Sequence, residues 1–231
     1  MNDSSRGDAA CTVVLIRHGE TPWNRIRRIQ GHIDIGLSPL GEAQAERLAA
    51  RLATPGTLPL AAPIEAVYSS DLCRAHRTAT PFARLIGLPV QPLRALRERH
   101  YGAFEGDDAA GIARRFPEAY RQWQAHDPHF EPPGGESQAA FCRRIVSELD
   151  RLAALHAGRT IACVAHGGVL DCAYRHATGL GLGTPRQHAL LNASINVLSW
   201  GGDAPAVLHW ADVSHLQGLD TEDDSLRRSW S

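Results

Sequence analysis

The sequence predicts a three-layer α/β/α sandwich built on a mostly parallel sheet of about six strands. Two short runs, residues 12–16 and 160–165, are apolar at nearly every position, as expected of strands covered by helices on both faces. Segments with a helical pattern alternate with these and other strand-like runs along the chain. Such alternation is typical of parallel strands joined by helical crossovers.

Each predicted element has a local signal. Ser38 and Pro39 are typical of the cap and first turn of a helix, and Ser137 is typical of the cap of another. Pro81 lies inside a third helical pattern, which we expect it to kink or split. The predicted order is strand 12–16, helix 38–53, strand 65–69, helix 71–86, strand 90–96, a poorly periodic helical region at 107–126, helix 137–158, strand 160–165, a further helix, and strands 193–200 and 206–210.

Length and composition indicate one globular domain. The 231 residues fit a single domain at 11–216, with polar tails at 1–10 and 217–231. The net charge of −1 gives no indication of binding to nucleic acid or to an anionic membrane, and no apolar run approaches the roughly 20 residues of a membrane span. All 24 basic residues are arginines, which excludes lysine Schiff-base chemistry and a Walker-type phosphate lysine.

The five cysteines never occur as Cys-x-x-Cys, so we expect neither a disulfide framework nor a zinc site. Cys163 lies in an apolar run and is interpreted as a small buried residue. His126 and His129 could suggest a metal, but without further ligands at a suitable spacing a polar loop is favoured. The cysteine pattern and the polar segment 1–10, which lacks the apolar core of a signal peptide, predict a reducing, cytoplasmic location.

Two of the apolar strands end in the same way. His18 and Gly19 follow the first, and His166 and Gly167 follow the strand at 160–165, with Arg17 directly before His18. Ligands of open parallel sheets bind beyond the carboxyl ends of the strands. If the two strands are neighbours, the two histidines therefore face each other across that crevice. Each glycine allows a sharp turn and a close approach of backbone to ligand.

Two further strands are expected to bring charged groups to the same edge. Arg74 lies on the first turn of the helix after the strand at 65–69, and Glu98 follows the strand at 90–96. Both residues have simpler interpretations. Arg74 could be a solvated helix residue, and Glu98 could form a surface ion pair with Arg97 or Arg99.

These residues fall into a pattern that resembles the histidine phosphatase superfamily, in the branch of the cofactor-dependent phosphoglycerate mutases. Five blocks occur in the same order over about residues 12–200. They are Arg17, His18, Gly19, Glu20, Thr21 and Asn24 with Gln30, Gly31, Asp34 and Leu37; Ser69, Ser70, Asp71, Leu72, Arg74, Ala75, Thr78 and Ala79; Glu98, Gly102, Glu105 and Gly106; Pro133, Gly134, Gly135, Glu136 and Ser137; and His166, Gly167 and Gly168.

The resemblance implies a phosphoglycerate mutase-like fold and a phosphoryl-transfer site without metal or cofactor. Neutral His18 would be the nucleophile, oriented by a backbone carbonyl, and Glu98 would move the proton of the leaving group and then of water. The other implied catalytic residues are Arg17, Arg74 and His166. The implied substrate-binding residues are Arg17, Asn24, Gln30, Gly31, Arg74, His166 and Gly167.

Hydrolysis is favoured over phosphoryl shuttling. The mutases of this branch grip the substrate carboxylate with a lysine and an Arg-Arg pair after the glutamate, but this chain has no lysine, and Arg114 and Arg115 are predicted to lie at an ordinary helix end. The expected partner is a small phosphorylated metabolite, neither nucleic acid nor membrane. A phosphoglycerate mutase, a non-catalytic phosphate-binding module and a homodimer are retained as alternatives. Arg25, Arg27 and Arg28 are interpreted as a solvated loop, or as contacts to a second acidic group of the substrate.

Overall fold

In the computed structural model, which describes residues 9–54, 56, 58, 60 and 62–219, helices pack on both faces of one six-stranded sheet. The predicted tails, 1–10 and 217–231, lie outside the described residues except for 9, 10 and 217–219. Among the described helices, none is long and apolar enough to cross a bilayer. The predicted fold class is confirmed.

The elements follow the predicted alternation. The strands are β1 Cys11–Arg17, β2 Ile64–Ser69, β3 Val90–Pro92, β4 Thr160–Ala165, β5 Ile195–Trp200 and β6 Ala206–Asp212. The helices are α1 Pro22–Arg25, α2 Pro39–Ala53, α3 Cys73–Leu85, α4 Ala109–Arg115, α5 Pro117–Gln124, α6 Gln138–Leu155 and α7 Gly167–Thr178. Short 3-10 turns lie at Arg94–Leu96, Gly102–Phe104 and Ser214–Leu216.

The sheet is parallel through its first four strands and antiparallel at one edge. Its order is β3-β2-β4-β1-β5-β6, with β3, β2, β4 and β1 mutually parallel. β5 runs antiparallel to β1, and β6 runs antiparallel to β5. β1 and β4 are neighbours in register, with Thr12 opposite Thr160 and Arg17 opposite Ala165. The condition for His18 and His166 to face each other, that their strands are neighbours, is therefore met.

Alternating side chains of β1 enter two separate cores, which explains why the run at 12–16 is apolar throughout. Val13 and Leu15 face α6 and α7, and Val14 and Ile16 face α2 and α3. All four are fully buried, and each such side chain contributes roughly 1.5–3 kcal/mol through removal from water. Both faces of the strand are thus fixed, so the residues after its end have a defined position.

Two elements differ from the prediction, and a third, predicted as a poorly periodic helical region, is resolved into two helices. β3 ends at Pro92, one hydrogen bond from the N–H of Leu93 to the carbonyl of Ser69 follows at 2.7 Å, and the chain continues into the turn Arg94–Leu96. Pro81 does not split α3, which is continuous on either side of it with Ala79, Phe82 and Ala83 buried against the sheet. The region 107–126 forms two short helices that meet at Phe116.

The cysteines, from which no disulfide framework was expected, form one disulfide within the described residues. Cys142 on α6 and Cys172 on α7 are bonded, with their Cα atoms 5.2 Å apart. The two cysteines are 30 residues apart in sequence, and only the packing of both helices on one face of the sheet brings them together. Cys163 is fully buried in β4, as predicted. The cytoplasmic location stays a prediction, and one of its two grounds is removed.

Candidate active site

A cavity of about 720 Å³ opens at the carboxyl edge of the parallel strands. It lies where β1 and β4 end side by side, which is the crevice predicted for ligand binding. Its wall contains every residue of the predicted site except His166, which contacts His18 and Arg74. The predicted members on the wall are Arg17, His18, Asn24, Gln30, Gly31, Arg74, Glu98 and Gly167.

His18 is held in one tautomer by its own loop. Its backbone N–H extends the β1–β4 ladder by donating to the carbonyl of Ala165 at 2.9 Å. Its side chain is 3% exposed, and Nδ1 lies 2.7 Å from the carbonyl oxygen of Gly19. A carbonyl can only accept, so Nδ1 carries the proton and Nε2 keeps its lone pair. Burial, and then the charges of Arg74 and Arg17, lower the pKa of His18 well below its usual value, so the ring is neutral at physiological pH.

His166 is the second buried histidine of the crevice. Its ring centroid lies 5.2 Å from that of His18, and its Nδ1 accepts a hydrogen bond from Nε of Arg74 at 3.3 Å. The proton therefore lies on Nε2, which is buried and has no hydrogen-bond partner in the described part of the chain. Burial, then Arg74 and His18, lower the pKa of His166 well below its usual value. His166 is thus a neutral donor.

Arg74 lies on the first turn of α3 and is 1% exposed, so the interpretation as a solvated helix residue is wrong. Its guanidinium donates to the carbonyls of Gly31 at 2.8 Å and Ile33 at 3.0 Å, and to His166. Burial lowers its pKa to about 10, which leaves it charged at neutral pH. Arg17, at the end of β1, donates through Nη1 to the carbonyl of Leu190. Two fixed positive charges therefore flank His18.

Glu98 is tied to the site by two backbone amides. Oε2 accepts from the N–H of Gly168, on the first turn of α7, at 3.0 Å, and Oε1 accepts from the N–H of Arg99 at 2.8 Å. The alternative of a surface ion pair is wrong, because the neighbouring arginines bind elsewhere. Arg97 forms two hydrogen bonds of 2.7 Å with Asp71, and Arg99 donates to the carbonyls of Glu136 and Phe130.

A β-carbon at position 168 would collide with this carboxylate, so we expect Gly168→Ala to impair the site. The added carbon would lie 2.2 Å from Oε1 of Glu98. We expect kcat/KM for p-nitrophenyl phosphate to fall by about 10–100-fold, because catalytic groups displaced by about 1 Å lose rates of this order. At Gly167 the nearest contact would be an ordinary 3.5 Å, to Nε of Arg17. Gly167→Ala should therefore have a much smaller effect, and equal losses in the two variants would contradict the role given to the Glu98 contact.

The three remaining residues predicted to bind substrate, Asn24, Gln30 and Gly31, differ in what their polar groups contact. Oδ1 of Asn24 accepts from the backbone and hydroxyl of Thr21 at 3.0 Å each, which leaves its amide nitrogen as the donor toward a ligand. Gln30 is buried, and its side-chain oxygen has no partner among the described residues. Gly31 has φ +50° and offers its carbonyl to Arg74. Gly31 therefore helps to hold Arg74, and its role in substrate binding stays a prediction.

The three loop arginines after the nucleophile divide between the two interpretations. Arg25 is exposed and forms an ion pair of 3.1 Å with Glu20. Arg27 and Arg28 lie on the cavity wall, and the guanidinium of Arg28 lies over the ring of Trp23 at 5.4 Å. Elsewhere, no group of three His, Cys, Asp or Glu side chains in the described ranges could hold a metal ion.

Sequence reasoning missed the segment 186–192, which forms one wall of the cavity. Asn192 donates through Nδ2 to the carbonyl of His18 at 3.0 Å, and Leu190 accepts from Arg17. The segment has neither apolar periodicity nor a motif, so the only usable signal was its position before β5, the strand next to β1. The other lining residues that were missed include Trp23, Tyr101, Trp123, Asp171, Arg186, Gln187 and His188.

Comparison with known proteins agrees with this geometry. Residues 13–213 match the sequence profile of the histidine phosphatase superfamily, branch 1. The chain is 38% identical to phosphoglycerate mutase-like protein 4 of Arabidopsis thaliana over 89% of this chain and 86% of that protein. It is also 38% identical to a metal-independent phosphoserine phosphatase of the same plant, over 90% and 84%. The solved structure of Bacillus stearothermophilus YhfR aligns with a TM-score of 0.78 at 30% identity, covering 90% of this chain and all of that one.

Proposed function

The chain belongs to the histidine phosphatase superfamily, branch 1, and on that premise we propose that it hydrolyses small phosphomonoesters through a phosphohistidine formed on His18. The observation that carries the proposal is the hydrogen bond between Nδ1 of His18 and the carbonyl of Gly19, which fixes the tautomer of His18. With Nδ1 bonded to Gly19, the lone pair of Nε2 is available for attack in a buried site beside the charges of Arg17 and Arg74.

In the first step Nε2 of His18 attacks phosphorus, an N–P bond forms and the ester P–O bond breaks. The departing oxygen takes a proton from Glu98, which acts as general acid. Charge on the transferring phosphoryl oxygens is stabilised by Arg17 and Arg74 and by the Nε2–H donor of His166. The rigid contacts of Arg74 to two backbone carbonyls support this role, because a preorganised donor need not reorient during the reaction.

In the second step water loses a proton to Glu98 and attacks phosphorus. The N–P bond then breaks, inorganic phosphate is released and His18 returns to its neutral form. Glu98 thus regains in this step the proton that it gave up in the first. The hydrogen bonds from two backbone amides hold the carboxyl group in one position, which supports its role as the group that gives and takes this proton.

The positions of Arg114 and Arg115 support hydrolysis over the mutase alternative. Both lie at the exposed end of α4, outside the cavity wall, and Arg115 forms an ion pair with Asp107. The pair is therefore not placed to grip a substrate carboxylate at His18. The relative named as a metal-independent phosphoserine phosphatase also supports hydrolysis. We further propose that the partner is a small phosphorylated metabolite and that no cofactor takes part.

Trapping the phosphoenzyme tests this mechanism. With p-nitrophenyl phosphate and EDTA, Glu98→Gln should accumulate a protein that is heavier by one phosphoryl group, because p-nitrophenolate leaves without protonation while water then lacks its base. Mass spectrometry at alkaline pH should place the group on His18. The double variant with His18→Ala should remain unlabelled. Labelling that persists in the double variant, or wild-type turnover that requires a divalent metal, would rule the mechanism out.

A further inference from the structure

The cavity is larger and more positively charged than the phosphoryl group requires. Besides the arginines beside His18, its wall contains Arg27, Arg28 and Arg186, and its described acidic residues are Glu98 and Asp171. Asp171 is already neutralised by Arg175 at 2.9 Å and by a contact of the same length with His188. Positive charge therefore remains on the wall after the phosphoryl group is accounted for.

Arg186 differs from the other wall arginines in being half-buried without a partner. Within the described part of the chain, no hydrogen bond or ion pair joins its guanidinium to another group. Burial lowers the pKa of Arg186, while the nearby charge of Asp171 acts in the opposite direction. By contrast Arg99, on the same wall, is satisfied by two backbone carbonyls. A partly buried guanidinium that the protein leaves unpaired is suited to an oxyanion of a ligand.

The segment that carries Arg186 is fixed on both sides of it. Nη1 of Arg175 donates to the carbonyls of Gly181 at 2.6 Å and Thr184 at 2.9 Å. After Arg186, His188 contacts Asp171 and stacks on the ring of Tyr174 with centroids 3.9 Å apart. These contacts order the backbone around Arg186 before any ligand arrives, which reduces the entropy cost of binding.

Contacts through α7 relate the segment around Arg186 to Glu98, the proposed proton donor to the leaving group. Glu98 accepts from the N–H of Gly168 on the first turn of α7. Asp171, three residues further along α7, contacts His188, which lies two residues after Arg186 on the same cavity wall. A group bound by Arg186 belongs to the alcohol part of the ester rather than to its phosphoryl end.

We propose that Arg186 recognises a second oxyanion on the alcohol part of the substrate, either a carboxylate or a second phosphoryl group. The substrate class is then a small phosphomonoester whose leaving alcohol is itself anionic. This inference rests on the proposed function, since it concerns the same site. It makes Arg186 a specificity-determining residue supplied by the segment 186–192.

The test compares three probes that share a three-carbon frame. Glycerol 3-phosphate is the reference, 3-phosphoglycerate adds the carboxylate, and glycerol 1,3-bisphosphate adds the second phosphoryl group. We expect wild type to favour at least one anionic probe by about tenfold or more in kcat/KM, the size of one charge-assisted contact. The preferred probe identifies which oxyanion the site takes.

Variants assign this preference to Arg186. Arg186→Gln should reduce the ratio of kcat/KM between anionic and reference probes to about threefold or less, and Arg186→Lys should retain part of it. Arg84→Gln, on the exposed side of α3 and away from the cavity, removes the same charge and should leave the ratio unchanged.

Failure of this inference can be separated from failure of the proposed function. Wild type that hydrolyses the reference probe equally well, or an Arg186→Gln variant that keeps the full preference, would overturn the inference and leave phosphohistidine catalysis intact. Absence of hydrolysis of all three probes and of p-nitrophenyl phosphate would overturn the proposed function itself.

Discussion

Alanine in place of His18 is expected to lower kcat/KM for p-nitrophenyl phosphate by at least about a thousandfold, because the variant loses the atom that forms the covalent intermediate. Arg17, Arg74 and His166 would still bind the phosphoryl group, so substrate affinity should change far less than kcat. His166, the imidazole next to His18, cannot replace it as nucleophile, since its Nδ1 accepts from Arg74 and its Nε2 carries the proton.

His129→Ala is a suitable control for this experiment. His129 lies in an exposed turn between α5 and α6, outside the cavity wall, and its side chain forms no hydrogen bond to another described residue. Its replacement should leave kcat/KM within about twofold of wild type. Melting curves of both variants should show folded protein. Equal rates for wild type and His18→Ala would remove His18 from the mechanism.

Arg74→Ala should have the second largest effect and should affect both activity and stability. The side chain satisfies the carbonyls of Gly31 and Ile33 and fixes the tautomer of His166. A buried acceptor that loses its partner costs roughly 1–3 kcal/mol, so we expect the free energy of unfolding to fall by about 2–5 kcal/mol. Activity should fall at least about a hundredfold, since a charged donor to the phosphoryl group is lost and His166 is free to change tautomer.

Two further variants separate these causes. Arg74→Lys keeps the charge but cannot make three hydrogen bonds in a planar fork, so it should recover only a small part of the activity. Arg77→Ala, on the same helix, removes a surface ion pair with Glu42 and should change stability by less than about 1 kcal/mol. Denaturant titration and steady-state kinetics measure both effects. A fully active Arg74→Lys would show that charge alone is required.

The sequence by itself determined the elements whose signals are local. Both faces of β1 and β4 are covered, so their apolar runs were visible without any structure. Ser38 and Ser137 cap α2 and α6 as predicted, accepting from the N–H groups of Gly41 and Ala140. The positions of His18 and His166 were predictable for the same reason, because a residue directly after a central parallel strand lies at the carboxyl edge of the sheet, where ligands bind.

The tertiary structure alone decided the features that depend on contacts between distant segments. Three such features have no signature in local sequence. They are the Cys142–Cys172 bond, the hydrogen bonds between Arg97 and Asp71 that leave Glu98 free to face the cavity, and the cavity wall that contains Arg186. Each arises because crossover helices bring remote residues to one edge of the sheet. Local periodicity reports which face of an element is buried, but it contains no information about which other element covers that face.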